Sequence, residues 1–272
     1  MIPDIDVKKV EEVIRHVAAT EVAPRFRNLQ AGEIREKNPG DFVTVADEAS
    51  EKLFTALLPG LLPGSLVVGE EAVSKDVGVL KKFAEGKPVW VIDPIDGTYN
   101  FSHGRSKFGI LIALVQNGVT QYGFAYDVPG DRMSVAGRGS GTFLDGKRMK
   151  ISCAATDMKQ LVCQAGGAQA WHFESVTPLF RELVNFRCSL HDFMNFITGE
   201  ADFIAHVNKV TPWDHAAGVL LAEEAGGYVR MDAGDVYDPA RYGPAFLMTA
   251  PSKEWWQKLN PIFYPHLQRK AG

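Results

Sequence analysis

Two aspartates at the end of a short apolar run constrain the fold of this chain more than any other feature. Residues 89–92 read Val-Trp-Val-Ile, which is typical of a buried strand. Asp93 and Asp96 follow at once, and Pro94 and Gly97 favour a turn there. Two carboxylates held this close repel each other unless a cation lies between them. The segment therefore predicts a strand that ends at a hard-metal site, although a plain tight turn would use the same residues.

Composition indicates an ordinary globular protein. The 272 residues are 46% hydrophobic and 23% charged, which is enough for a sizeable core. We expect a single domain over residues 1–272 made of two tightly packed halves, about 1–150 and 151–272, because the pattern of elements changes near residue 150. The net charge of −4 argues against nonspecific nucleic-acid binding.

The cysteines and the apolar runs bear on the compartment. The three cysteines, Cys153, Cys163 and Cys188, include no Cys-x-x-Cys pair, which fits a reducing environment. No signal peptide is visible, and the longest apolar run is too short to cross a bilayer. We therefore expect a cytoplasmic protein with no membrane partner.

Apolar spacing predicts a mixed α/β chain. The predicted helices cover residues 6–30, 46–58, 177–185, 190–199, 213–225 and 252–259. The predicted strands cover residues 66–69, 89–92, 108–117, 121–127, 133–137, 141–144, 228–231 and 245–249. The middle strands suggest an antiparallel meander, with a hairpin turn at Asn117-Gly118. Residues 32–41, rich in charge and glycine, are expected to form a polar loop.

Two further acidic segments stand in comparable places. Glu70 and Glu71 follow the strand predicted at 66–69, and Asp214 opens the helix predicted at 213–225. Each has a simpler explanation, because adjacent glutamates are usually solvated and an aspartate often caps a helix. Carboxylates at strand ends and helix starts nevertheless tend to converge on one edge of an α/β fold. Several carboxylates without Cys or His suit Mg²⁺.

These segments together resemble a known family. Residues 93–101 and 213–227 are similar to the two signature motifs of the inositol monophosphatase family. Residues 68–71 resemble its third metal-binding element, and residues 41–47 its early segment. The resemblance spans nearly the whole chain in the same order. It implies a layered αβαβα sandwich of the inositol monophosphatase/fructose-1,6-bisphosphatase type, and a magnesium-dependent, lithium-sensitive phosphomonoesterase that is usually a homodimer.

The resemblance also implies a ligand set for two or three Mg²⁺ ions. By position, Glu70, Asp93 and the carbonyl of Ile95 would hold one ion. Asp93, Asp96 and Asp214 would hold a second. We further expect that Asp96→Asn abolishes activity while the fold persists.

Other positions would act on the water and the phosphate. Thr98, with Glu70, would orient the attacking water, so that no covalent phosphoenzyme is needed. The N–H groups of Gly97 and Thr98 can hold phosphate oxygens at the start of a helix. Lys37 and Asp47 would lie nearby and serve a further metal or the phosphate.

The substrate is less well defined than the metal site. In inositol-specific relatives an acidic residue stands about seven places before the second-motif aspartate, and here that place is Val207. The usual Arg-x-x-Gly-Ser element is also altered, and residues 187–191 read Arg-Cys-Ser-Leu-His. Inositol 1-phosphate is the default substrate. The alternatives are a 3'(2'),5'-bisphosphate nucleotide, histidinol phosphate, fructose 1,6-bisphosphate, or a regulatory protein-binding role.

Overall fold

The first part of the chain contains two helices and a hairpin. The computed structural model describes residues 4–166, 175–207 and 209–268. The first elements are α1 (Val7–Val17), β1 (Ile34–Asn38), β2 (Asp41–Thr44) and α2 (Val45–Leu61). Asp6 caps α1 by accepting a hydrogen bond from the backbone N–H of Lys9. Thr44 and Asp47 form a capping box that starts α2 immediately after β2.

Two predictions for this part were wrong in detail. The helix predicted over residues 6–30 is an α-helix only to Val17, and it continues as a π-helix over Ala18–Val22 and a 3₁₀ turn over Ala23–Arg25. The helical stretch ends there because the Phe26 backbone is extended. The Phe26 ring instead packs against Phe101 and Phe108, with centroids 5.8 and 4.7 Å away. The polar loop predicted at residues 32–41 contains β1, whose backbone pairs antiparallel with β2.

A seven-stranded sheet follows. In chain order the elements are β3 (Leu66–Gly69), α3 (Glu70–Lys75), β4 (Val89–Asp96), α4 (Thr98–Ser102), β5 (Gly109–Gln116), β6 (Val119–Asp127), β7 (Arg132–Gly137), β8 (Gly141–Leu144) and β9 (Lys147–Met149). The strands lie in sequential order from β3 to β9. β3 and β4 are parallel, and every later pair is antiparallel, which confirms the predicted meander.

A second sheet of five strands forms from the last part of the chain. Its elements and the helices around them are β10 (Val162–Gly166), β11 (Glu182–Val184), α5 (Ser189–Thr198), β12 (Phe203–His206), α6 (Pro212–Glu224), β13 (Tyr228–Met231), β14 (Leu247–Ala250) and α7 (Lys253–Gln268). The strand order is β11-β10-β12-β14-β13. The helix predicted at residues 177–185 was wrong, because Thr177–Leu179 forms one 3₁₀ turn and β11 pairs parallel with β10.

Three hydrophobic cores stack these elements into five layers. In the first core, α1 and α2 cover the sheet face that carries Trp90 and Ile92. In the second, α5 and α6 lie between the opposite face, which carries Val91, and the five-stranded sheet. In the third, α7 covers the outer face of that sheet. Because alternate residues of β4 face different cores, both sides of this strand are buried. The layers alternate α, β, α, β, α, as predicted.

Candidate active site

A β-bulge in β4 directs the carboxylates of Asp93 and Asp96 into the same cleft. Residues three apart on a regular strand point to opposite faces. Here Asp93 pairs with Leu111 and Asp96 with Gly109, so three steps on β4 match two on β5. Such a bulge bends the strand and re-aims its side chains. Asp93 and Asp96 therefore reach the same cleft, and both are buried.

Asp214 reaches the cleft from the first turn of α6. Thr211, not Asp214, caps the helix, and its hydroxyl lies 2.6 Å from Asp214 Oδ2. Pro212 occupies the first helical position, where a missing N–H costs nothing. Helix capping, the simpler explanation for Asp214, is therefore carried out by Thr211 instead.

The three aspartates meet in one cluster. Asp93, Asp96 and Asp214 each place a carboxylate oxygen within 4.8 Å of the other two. We call these three residues the acidic cluster. Among the described residues, no lysine, arginine or histidine forms an ion pair with any of them. Hard oxygen ligands of this kind, without sulfur or imidazole, fit a cation such as Mg²⁺.

The pKa values of the acidic cluster favour the binding of a cation. Burial, followed by repulsion from Asp214, raises the pKa of Asp96 to about 7. Burial and the charges of Glu70, Asp96 and Asp214 raise the pKa of Asp93 well above its ordinary value. Backbone N–H groups of Ser189 and Leu190 and the Cys188 thiol donate to Asp96, which offsets part of the cost. A divalent cation would offset the rest.

Glu70 lines the same cleft but is engaged by Lys37. Glu70 opens α3 and is partly buried beside the acidic cluster. The Lys37 ammonium on β1 donates to Glu70 at 2.9 Å and to Glu71 at 3.1 Å. Burial opposes its charge, but the two glutamates more than compensate and raise the pKa of Lys37. Lys37 thus provides the positive charge on this side of the cleft.

Thr98 lies between a buried carboxylate and a backbone carbonyl. Its Oγ1 is 3.0 Å from Asp47 Oδ1 and 2.8 Å from the carbonyl oxygen of Ile95. Asp47 is fully buried, and burial raises its pKa to about 7 despite hydrogen bonds from Thr44 and Thr98. Ile95 and Thr98 both line the cleft, whereas Asp47 and Lys37 lie behind it and contact the lining residues Thr98 and Glu70 respectively.

Gly97 is required by the turn between β4 and α4. Its φ is +85°, a region that residues with a side chain rarely adopt. A Cβ there would lie 2.8 Å from the carbonyl oxygen of Lys107 and 3.3 Å from Cys188 Sγ. Any other residue at this turn would therefore be both strained and crowded.

The mouth of the cleft is lined by residues that lie outside the predicted set of metal ligands and phosphate donors. Arg187 and Lys209 are exposed and line the cleft that contains Glu70 and the acidic cluster. Ser189 and Asp192 line an adjoining cleft that shares Asp96, Asp214 and Arg187 with the first. We call Arg187, Ser189 and Lys209 the outer wall. Val207 is buried in the third core and lines neither cleft.

A buried polar group lies behind the outer wall. His206 Nε2 is 3.2 Å from Asp192 Oδ2, and the rings of His206 and His215 are 4.7 Å apart. Burial lowers the pKa of both histidines to about 4, so both are neutral near pH 7. His215 Nδ1 is hydrogen-bonded to the backbone of Thr211. The sequence carried no signal for the Asp192–His206 contact, because the residues lie on separate elements.

Comparison with known proteins identifies the family to which this layered fold and carboxylate cleft belong. A model of the inositol monophosphatase family matches residues 6–268, and the chain belongs to that family. Membership indicates a phosphatase, that is, a phosphoric monoester hydrolase. In the described residues no helix has the length and apolar character needed to span a membrane.

Individual relatives carry different names. The chain is 30% identical over 203 residues to the inositol-1-monophosphatase of Bacillus subtilis, covering 71% of this chain and 73% of the relative. It is 31% identical over 217 residues to the Nus factor SuhB of Escherichia coli, covering 76% and 78%. The solved IMPase of Thermotoga maritima superposes with a TM-score of 0.82 at 22% identity, covering 98% and 99% of the two chains. That last similarity supports the fold.

Proposed function

We propose that this protein hydrolyses a small phosphate monoester with Mg²⁺ and metal-activated water, and that inositol 1-phosphate is the first substrate to test. The observation that carries the proposal is the convergence of three carboxylates within 4.8 Å, without a basic partner among the described residues. A phosphate dianion is repelled by such a site unless cations are present. Family membership supplies the reaction class.

The residues present fit a magnesium site. Asp93, Asp96 and Asp214 offer carboxylate oxygens, and Glu70 and the carbonyl of Ile95 line the same cleft. In our proposal these five groups hold two or three ions. When bound, Mg²⁺ neutralises the phosphate, lowers the pKa of water and stabilises the leaving alkoxide.

The chain's own groups would orient the reactants. Thr98 Oγ1 lies within hydrogen-bond distance of Asp47 Oδ1 and of the Ile95 carbonyl oxygen, and its single proton is donated to one of them at a time, so the hydroxyl can still accept from a water. Together with Glu70 it would hold the attacking water. The N–H groups of Gly97 and Thr98 belong to the first turn of α4, whose donors have no partners within the helix. These donors would hold phosphate oxygens. Burial raises the pKa of Glu70 well above its ordinary value, and the Lys37 ammonium offsets part of that rise.

The domain organisation, assembly and compartment of the protein can also be proposed. We propose one catalytic domain over residues 1–272 that works as a homodimer in the cytoplasm and is inhibited by lithium. The relatives named inositol-1-monophosphatase support the default substrate. The buried Val207 leaves the inositol-specific acidic contact without an equivalent at that position, so histidinol phosphate, fructose 1,6-bisphosphate and 3'-phosphorylated nucleotides belong in the same substrate panel.

A regulatory role is the second candidate, and similarity to the Nus factor SuhB favours it. In that case the fold would bind a protein partner. A partner interaction should survive loss of a metal ligand, whereas hydrolysis should not. The acidic cluster makes a purely structural role the weaker of the two explanations.

Phosphate release with and without Mg²⁺ and Li⁺ tests the enzyme. Wild-type protein should release phosphate from at least one panel member only with Mg²⁺, and Li⁺ should inhibit it. Asp96→Asn should abolish release while its circular dichroism spectrum stays unchanged. Asp235→Asn, at an exposed position outside both clefts, is the matched control. Wild-type turnover by Asp96→Asn at saturating Mg²⁺ would refute the assigned role.

A further inference from the structure

Arg187 has a backbone conformation that arginine seldom adopts. Its φ is +56°, in the left-handed region, where a side chain is disfavoured. Residues held in such conformations cluster at functional sites, because the surrounding structure must maintain them. Arg187 stands directly before Cys188, whose thiol contacts Asp96. The strained residue therefore lies next to the acidic cluster.

The side chain of Arg187 is positioned by an aromatic ring. Its guanidinium carbon lies 3.8 Å from the centroid of the Tyr99 ring, a close cation–π contact. Tyr99 belongs to α4, the helix that follows the Asp93–Asp96 turn. Arg187 also lines both clefts that meet at Asp96 and Asp214. Its charge is thus held where the two clefts join.

Among the described residues, the positive charge of Arg187 has no carboxylate partner. Lys37, on the other side of the cleft, is paired with Glu70, Glu71 and Asp41. In the part of the chain that the structure describes, neither the Arg187 guanidinium nor the Lys209 ammonium forms an ion pair or hydrogen bond. Lys209 lines the same cleft and has a ring contact with Tyr242 at 5.6 Å. Two cations therefore face the cleft without a carboxylate partner.

The geometry points to Arg187 as a specificity residue that binds a second anionic group, a phosphate or a carboxylate, on the alcohol part of the substrate. The inference rests on the proposed function. In that function the reacting phosphate is held at the acidic cluster, so a cation at the mouth faces a different part of the substrate. The planar fork of arginine suits phosphate and carboxylate oxygens, and its ring contact reduces the freedom lost on binding. Lys209 would assist as a point charge.

Matched substrate pairs test this role. Fructose 1-phosphate and fructose 1,6-bisphosphate differ by a second phosphate, and glycerol 3-phosphate and 3-phosphoglycerate differ by a carboxylate. The first pair reports on phosphate and the second on carboxylate. In at least one pair we expect the wild type to prefer the doubly anionic member. For that member, Arg187→Ala should raise KM about 10- to 100-fold. The KM of the singly charged member should change less than about 3-fold. Arg187→Lys should restore part of the loss.

Arg105 provides the control. Its guanidinium also contacts the Tyr99 ring, at 5.4 Å, and it is exposed, but it lines neither cleft. Arg105→Ala should leave the KM ratio of each pair unchanged. An equal effect of Arg187→Ala on both members of every pair, or no wild-type preference for either doubly anionic member, would overturn the inference while phosphate release still supports the proposed function. No release from any substrate with Mg²⁺ would instead overturn the proposed function, and the inference with it.

Discussion

The acidic cluster and the outer wall share one cleft but are held in different ways. Each aspartate of the cluster lies on a packed element and accepts a hydrogen bond. The donors are the Ile95 N–H for Asp93, the Leu190 N–H for Asp96 and the Thr211 hydroxyl for Asp214. In the outer wall, Arg187 and Lys209 are exposed and are held by contacts with aromatic rings.

This difference indicates that the acidic cluster serves the chemistry and that the outer wall serves substrate selection. Metal-assisted chemistry requires ligands fixed in position, and the cluster has them on a buried strand and a buried helix start. Selection of the alcohol needs only groups at the mouth, where side chains can change without disturbing the core. We therefore expect changes in the cluster to affect every substrate alike and changes in the outer wall to affect only some.

The largest expected effect comes from the cluster. Asp214→Asn keeps the size of the side chain and the helix start but removes a negative charge from the proposed ligand set. Phosphate release should fall at least about 1,000-fold for every substrate in the panel, because metal binding contributes several kcal/mol to such reactions. Asp235→Asn should retain full activity. A loss confined to some substrates would show that Asp214 belongs functionally with the outer wall.

The second prediction concerns pH and stability without metal. Burial and Asp214 raise the pKa of Asp96 from 3.8 to about 7, so the folded protein holds this proton more tightly than the unfolded chain. Ionisation then destabilises the fold: the cost is absent below pH 4, grows as the pH rises, and is complete above about 7. At about 1.4 kcal/mol per pKa unit, the cost has an upper bound of roughly 4 kcal/mol.

Comparison with Asp96→Asn isolates that contribution. The difference in unfolding free energy, wild type minus variant, should fall between pH 4 and 7 in EDTA, measured by urea titration. Buried His206 and His215, whose pKa values are lowered, destabilise the fold toward acid pH in both proteins and cancel in the difference. Saturating Mg²⁺ should remove the trend. A difference that is flat with pH in EDTA would mean that Asp96 is already compensated by its hydrogen bonds.

Local pattern predicted the cluster well, for a physical reason. Asp93 and Asp96 follow an apolar run, and Asp214 opens a helix, so element ends alone indicate that the three should converge. The bulge that aims both β4 carboxylates at one cleft was not predicted, because it depends on pairing with β5. The capping role of Thr211 was available in the sequence, since threonine before proline is a common helix start.

Elements that depend on distant partners were missed. Residues 177–185 have helix-like apolar spacing, but Leu183 pairs with Cys163 across two parallel strands. The charged stretch at residues 32–41 has no strand alternation, yet Lys37 finds its partners Glu70 and Glu71 more than thirty residues away. Arg187 gave no sign of its φ or of its contact with Tyr99. The outer wall was therefore the least predictable part of the site.

The third prediction tests the rigidity of the turn beside the cluster. Gly97→Ala places a Cβ 2.8 Å from the Lys107 carbonyl oxygen at a φ of +85°, so it combines strain with a clash. Gly118→Ala has a φ of +71° with no atom within 4 Å, so it isolates the strain. Urea unfolding should give a loss of about 1–2 kcal/mol for Gly118→Ala and about 2–4 kcal/mol for Gly97→Ala. Equal losses would mean that the turn adjusts and that the cluster is less rigid than its packing indicates.

The smallest expected effect measures the strain stored in the outer wall. Arg187→Gly and Arg187→Ala both remove the contact with Tyr99, but only glycine is comfortable at a φ of +56°. Arg187→Gly should therefore be more stable than Arg187→Ala by about 1 kcal/mol, measured by urea unfolding. Both should hydrolyse a singly charged substrate at nearly the wild-type rate. If alanine is tolerated as well as glycine, the backbone relaxes once the side chain is gone. In that case the contact with Tyr99 imposes the left-handed backbone conformation of Arg187. Side-chain contacts, and not a rigid backbone, would then hold the outer wall in place.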